Sequence, residues 1–277
     1  MRSRSGAILP GFGLAMGFTL LYLCLVILIP LSMVFIRAGS QSWADLWASV
    51  TSPRTLAAYR LSFTAAFTAA VVNAVFGLLV AWVLERYRFP GRRFLDGLVD
   101  LPFALPTAVA GIALTTLYSE TGWLGRVLQA AGVQVAYTPL GVVVALTFVG
   151  LPFVVRTVQP VLADLDRAQE EAAASLGAGR GRTIARVILP QLLPAVATGF
   201  TLALARGLGE YGSVIFIAGN MPLKSEITPL LIMMKLEEYD YAGAAGIAVV
   251  FLLASFALLF LMNVVSMRGR ARFGGRA

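Results

Sequence analysis

The 277-residue chain has no histidine, one cysteine and few charges, 13% of its residues, against a hydrophobic share of 58% and a mean hydropathy of +0.82. Each shortage excludes a class of chemistry. Without histidine, imidazole acid–base catalysis and the usual soft-metal clusters are ruled out. The lone Cys24 has no partner for an internal disulfide. Soluble domains carry about 25% charged residues, so a chain with half that proportion belongs in a bilayer. Neither an enzymatic role, a bound cofactor nor a metal site is expected.

What is present is apolar and segmented. Uncharged windows cover Ser5–Ile36, Leu61–Leu84, Leu101–Ser119, Val127–Val155 and Tyr241–Met267. Each can supply the roughly 20 residues of a spanning helix. A sixth window, Val187–Ile217, is interrupted by Arg206 and Glu210. The expected architecture is therefore an all-α integral membrane protein with six transmembrane helices, which puts both termini on one side. Fifteen basic residues fall on that side and six on the other: Arg37, Arg54, Arg60, Arg126, Lys224 and Lys235. The positive-inside bias makes the richer side cytoplasmic. Inner-leaflet charge thus accounts for the pI near 10.1, and no nucleic-acid partner is expected. Arg2 and Arg4 precede an apolar run too long for a signal peptide, so the first helix is expected to remain attached.

The helix expected over 61–84 is rich in Ala, Gly, Ser and Thr, which lets neighbouring helices approach closely in lipid. Asn73 at its centre reads most simply as an interhelical hydrogen-bond donor, or else as a functional group. Pro102, Pro106 and Gly111 stand within one membrane-depth segment. Prolines there imply either a broken helix lining a cavity or a helix starting late, at Pro106, after an elbow. Both readings place the segment near a translocation path. Arg206 and Glu210, four apart, share a helix face. An intramembrane ion pair is a functional hypothesis by default, so Arg206 could meet a passing anion, or the pair could simply lock the helix to its neighbours.

Between the fourth and fifth windows lies the most informative stretch. Leu162, Leu165, Gln169, Ala172 and Leu176 recur at helical spacing, Gly177-Ala178-Gly179 ends the helix, and a second short helix over about 182–188 leads into Pro190. Asp164, Asp166, Glu170 and Glu171 face Arg180, Arg182 and Arg186 along the chain and could staple the two arms. Thr183 is not preceded by lysine and no strand leads in, so this glycine-rich turn is no phosphate loop.

Glu170-Glu171-Ala172-Ala173, Gly177 and Val187-x-Leu189-Pro190 resemble, at every spacing, the cytoplasmic coupling loop of ABC importer permeases, with Val where Ile is more usual. Residues 92–111, 205–212 and 219–243 are similar to the T-type permeases of sulfate/thiosulfate importers, and the likeness covers essentially the whole chain. The resemblance implies a type I importer fold: a cytoplasmic N-terminus (1–11), a first transmembrane helix (12–36), a five-helix core (57–267) carrying the coupling loop (160–190), and a cytoplasmic tail (268–277) too short for a regulatory domain. It further implies a multi-pass protein of the cytoplasmic (inner) membrane with three partners: a W-type sister permease, a dimer of ABC ATPases that use the ATP, and a periplasmic sulfate-binding protein.

On this reading Arg206, Glu210, Pro102 and Pro106 belong to the path or gate. The external helix opened by Thr228-Pro229 offers Lys224, Glu226, Glu237 and Asp240 for receptor docking. A molybdate/tungstate permease is the nearest competing reading, and an ion-coupled secondary carrier the competing class.

Overall fold

A computed structural model describes residues 12–274, which are helical and connected by short turns. The helices are α1 (Phe12–Ala38), α2 (Trp43–Thr51), α3 (Pro53–Arg86), α4 (Arg92–Val99), α5 (Leu101–Ala104), α6 (Thr107–Tyr118) and α7 (Trp123–Ala130). They continue as α8 (Pro139–Ala163), α9 (Arg167–Ser175), α10 (Arg180–Leu208), α11 (Val214–Ile217), α12 (Thr228–Glu237) and α13 (Tyr241–Gly274). Residues 1–11, expected as a cytoplasmic N-terminus, and the last three of the expected tail lie outside the described residues.

Among the described residues, five helices (α1, α3, α8, α10 and α13) are long and apolar enough to cross a membrane, one fewer than expected. The difference lies in the third apolar window. There α5 stops at Ala104, Leu105 and Pro106 are extended, and α6 begins afresh at Thr107. Proline disfavours a helical residue before it, so Leu105 cannot continue α5. The 12 residues of α6 rise only about 18 Å, short of a hydrocarbon core of about 30 Å. The segment nonetheless packs along part of α8, directly at α5 and through α11. Phe103 packs edge-on against Phe153, toward the C-terminal end of α8. Gly111 sits against Ser213, just before α11, whose Ile217 meets the start of α8 at Tyr137 and Gly141.

The core is the junction of α3, α8 and α10. Without a hydrophobic drive between helices in lipid, close packing of small residues has to hold it. A Cβ on Gly77 of α3 would fall 2.8 Å from Val154 of α8, and one on Gly199 of α10 would fall 2.8 Å from the Val154 Cα. Alanines supply most of the remaining buried face of α3, as the composition of 61–84 predicts. By contrast, α1 buries none of its apolar window within the chain.

Two single π turns, Cys24–Leu28 in α1 and Ile184–Ile188 in α10, each end two residues before a proline, Pro30 and Pro190. A proline ring clashes with the carbonyl four residues back and brings no N–H to it. The wider turn relieves that conflict without ending the helix, with Ile29 and Leu189 bonding five residues back instead. The short helix expected before Pro190 is for this reason continuous with the long helix that follows.

Candidate functional site: the hairpin between α8 and α10

Asp166 caps α9, its carboxylate accepting from the Ala168 N–H at 2.9 Å. The helix lasts only nine residues because Gly177 adopts φ +78°, a left-handed conformation, and the Ala178 N–H turns back to the Ala173 carbonyl at 3.0 Å. The result is a blunt knuckle. Glu171, Ala172 and Gly177 are exposed, and Leu176 at the tip is 87% exposed. Leu176 thus stands at the tip with Ala172 and Ala174 of the same short helix exposed beside it. Val187, Leu189 and Pro190 are half-buried at the base of the hairpin, so of the expected loop residues these brace the knuckle from below.

Glu170, in contrast to Glu171, is half-buried. Its carboxylate lies 2.7 Å from the Arg86 guanidinium at the end of α3, an ion pair by distance without hydrogen-bond alignment. The Arg86 guanidinium also lies over the Trp82 ring, 5.5 Å from its centre. The expected staple of acids against Arg180, Arg182 and Arg186 is absent among the described residues. The two arms are instead joined by Gln191, whose amide donates to Gln169 at 2.7 Å.

At the other end of α10, Arg206 and Glu210 do pair, at 2.6 Å. Glu210 is fully buried, and its second oxygen accepts from the Ser213 N–H at 2.8 Å and the Ser213 hydroxyl at 2.9 Å. The carboxylate thereby shapes the turn leaving α10 as well as neutralising Arg206. That turn touches α6: Gly212 leaves room for Thr107, the residue after Pro106. Pro106 and Glu210 are thus brought to neighbouring segments, whereas Pro102 lies next to the Phe103–Phe153 contact with α8.

Glu226 was expected to be exposed and is only 2% exposed. Both its oxygens are held by Arg54, at 2.7 Å each, in a planar two-bond fork that joins the start of α3 to the loop before α12. Asp240 is half-buried and caps α13, accepting from the Gly243 N–H at 2.9 Å, with Lys235 at 3.2 Å. Lys224 and Glu237 are exposed. Asn73, expected to bond across helices, is completely buried against Gly150 of α8, and neither end of its amide finds a partner.

One cluster escaped the sequence reading. Arg156, near the end of α8, donates to both Asp100 oxygens (2.8 and 2.6 Å), to Asp96 (2.6 Å) and to Gln159 (2.6 Å). It clamps the elbow of α4 and α5 onto α8. Burial pushes the Asp96 carboxyl up, yet hydrogen bonds from Arg156 and Gln159 and the charges of Arg156 and Arg92 outweigh it and hold it below the usual carboxylate range. The available signal was the pair Asp96 and Asp100, four apart, the first on α4 and the second at its C-terminal cap.

A family model of binding-protein-dependent transport system inner membrane components matches residues 73–270, which include the whole hairpin. The chain belongs to that family. Among curated relatives of this permease, the sulfate transport system permease protein CysT of Salmonella typhimurium is 51% identical over 98% of this chain and 97% of its own. CysT of Escherichia coli K12 is 50% identical with the same coverage. CysT of Synechocystis is 47% identical over 91% of this chain and 88% of its own.

A bacterial ABC transporter involved in alginate import has a chain that superposes with TM-score 0.76 at 17% identity, covering 93% of this permease and 96% of that chain. A chain of the MetNI methionine ABC transporter superposes with TM-score 0.54 at 20% identity, covering 83% and 99%. At such identities the likeness is one of fold: the all-α fold of ABC importer permeases.

Proposed function

We propose that this permease is the membrane subunit of an ATP-driven importer that carries sulfate or thiosulfate across the cytoplasmic membrane. The observation that carries the reading is the knuckle itself, an alanine-topped helix of nine residues with an exposed leucine, set between two helices that cross the bundle. A helix that short and that exposed, carried at the join of two membrane-length helices, presents a compact surface that fits a groove between domains of an ATPase. The cargo is supported by the roughly half-identical CysT relatives, which align over nearly the whole chain.

In this reading the knuckle faces the cytoplasm, as the positive-inside bias requires. ATP is bound and hydrolysed by two copies of a separate ATPase. A W-type sister permease completes the pathway, and a periplasmic sulfate-binding protein delivers the anion to the opposite face, where Lys224 and Glu237 are exposed. Closure of the ATPase pair pushes on Glu171, Ala172 and Gly177. The push reaches α8 and α10 through the hairpin base at Val187, Leu189 and Pro190. The extended break at Leu105–Pro106, beside the turn shaped by Glu210, interrupts the helical backbone at membrane depth, and that is the proposed gate. A dianion passing there would meet Arg206 only weakly, because Glu210 already neutralises it. Weak binding favours throughput over retention.

The test is purification with the neighbouring subunits. A P-loop ATPase should co-purify and be lost when Leu176 and Ala172 are replaced by aspartate. Labelled sulfate uptake by the assembled importer should be competed by thiosulfate more strongly than by molybdate. A chain that purifies without an ATPase, or whose uptake molybdate competes best, refutes the corresponding part.

A further inference from the structure

Residues 170 and 171 are both glutamates, adjacent on one short helix, yet they face different ways: Glu171 is exposed with no partner among the described residues, and Glu170 is turned onto Arg86. The Glu170 side chain is about a third exposed, and the oxygen that meets Arg86 is its buried one. The Arg86 nitrogen and the Glu170 oxygen that meet at 2.7 Å are both buried and have no hydrogen-bond partner elsewhere among the described residues, so at those atoms each charge faces the other. Arg86 is only 16% exposed in its side chain and is further fixed by the Trp82 ring beneath it. Each charge also suits its own helix end. Arg86 stands in the last turn of α3 and Glu170 in the first turn of α9, so both helix dipoles favour the charges where they are.

The knuckle is therefore attached to all three helices of the central junction by three different links. It continues covalently from α8, it is joined to α10 through Gln169 and Gln191, and it reaches α3 through Glu170 and Arg86. Only the last is a charge pair across otherwise separate segments. From Arg86, α3 runs as one unbroken helix to Pro53, where Arg54 grips Glu226 at the far end of the bundle.

We infer that Glu170 and Arg86 are positioning residues that deliver the displacement of the knuckle to α3, so that motion imposed at one face moves the opposite face. Glu171, not Glu170, then carries the contact with the motor. This inference rests on the proposed ATP-driven function and deepens it.

The experiment uses the complete importer, with sister permease, ATPase and receptor, in proteoliposomes, comparing Arg86→Gln, Glu170→Gln, the double Gln variant and Arg86→Lys. Sulfate imported per ATP hydrolysed is measured alongside ATPase stoichiometry. Expected is a several-fold drop in that ratio for each single Gln variant. The double variant should be no worse than the worse single, as for residues acting as one unit, and Arg86→Lys should restore most of the ratio. Arg86→Gln should keep its ATPase, and Glu170→Gln should match it. Loss of the ATPase in Glu170→Gln alone would place Glu170 on the motor contact and overturn the inference. So would import and hydrolysis falling in equal proportion, the result of a pair that only holds the fold. A wild-type importer that accumulates sulfate without ATP would instead overturn the functional reading beneath it.

Discussion

Replacing Gly199 by alanine tests whether α8 and α10 meet as tightly as the structure requires. The new methyl would lie 2.8 Å from the Val154 Cα and 3.3 Å from the Phe153 carbonyl oxygen, both backbone atoms of α8. Carbon atoms pack best near 3.5–4.0 Å, so the two helices must part by about 1 Å. No rotamer change can absorb this, because the obstructing atoms are main chain. Overpacking of this kind costs about 1–3 kcal/mol, and the upper half of that range applies where backbone must move. At about 2–4 °C per kcal/mol for a chain of this size, the melting temperature in detergent should fall by about 4–12 °C.

Gly150→Ala supplies the contrast. Its methyl would meet the Asn73 amide nitrogen, the far end of a side chain, so Asn73→Ala in the same chain should relieve the strain. Asn73→Ala should bring no relief to Gly199→Ala. Unchanged melting for Gly199→Ala, or equal rescue of both by Asn73→Ala, would refute the packing argument.

Further outcomes follow from the polar contacts and the turn. Glu226→Gln leaves Arg54 without its counter-charge, and because Arg54 is about a third exposed the cost should be about 1–3 kcal/mol in denaturant titration, below that of a fully buried pair. Gly177→Ala forces a side chain into φ +78°, at a cost of about 1–2 kcal/mol. Since the knuckle must keep its shape to bind, ATPase affinity should fall about five- to thirtyfold in a pull-down titration.

Asp96 titrates below its unfolded value, so its stabilising contribution is present above the ordinary carboxylate range and is lost as pH falls through its lowered folded value. Melting curves of Asp96→Asn and wild type should therefore differ most near neutrality and converge as pH drops below about 4.

Much of this architecture was legible because lipid imposes strong rules on sequence. Long uncharged windows gave α1, α3, α8, α10 and α13, and the small residues of 61–84 gave the buried face of α3. Gly177 gave the end of α9 through its backbone freedom alone. What stayed hidden depended on partners distant in the chain. Nothing local tells that Glu226 will meet Arg54, 172 residues away, and be buried rather than exposed. Nor does spacing distinguish Glu170 from Glu171, since the helix angle between adjacent residues matters only once α3 stands beside one of them.

The hydropathy of the window over 101–119 predicted a crossing helix. The pair Pro102 and Pro106 split it, and of the two openings weighed for that window, the elbow followed by a helix start is the one the backbone takes. Asn73 resisted both levels of reading: its helix position was clear, but the partner it was expected to bond is absent from its surroundings.

The central claim is that work is delivered to this permease through the knuckle, by nucleotide consumed on another chain. Its most direct test is uptake of labelled sulfate into proteoliposomes holding the permeases and receptor, with the ATPase present or omitted and an ion gradient imposed in both. Accumulation should occur only with ATPase and ATP, and it should vanish when Leu176 and Ala172 are replaced by aspartate. Accumulation driven by the ion gradient with the ATPase omitted would contradict the account.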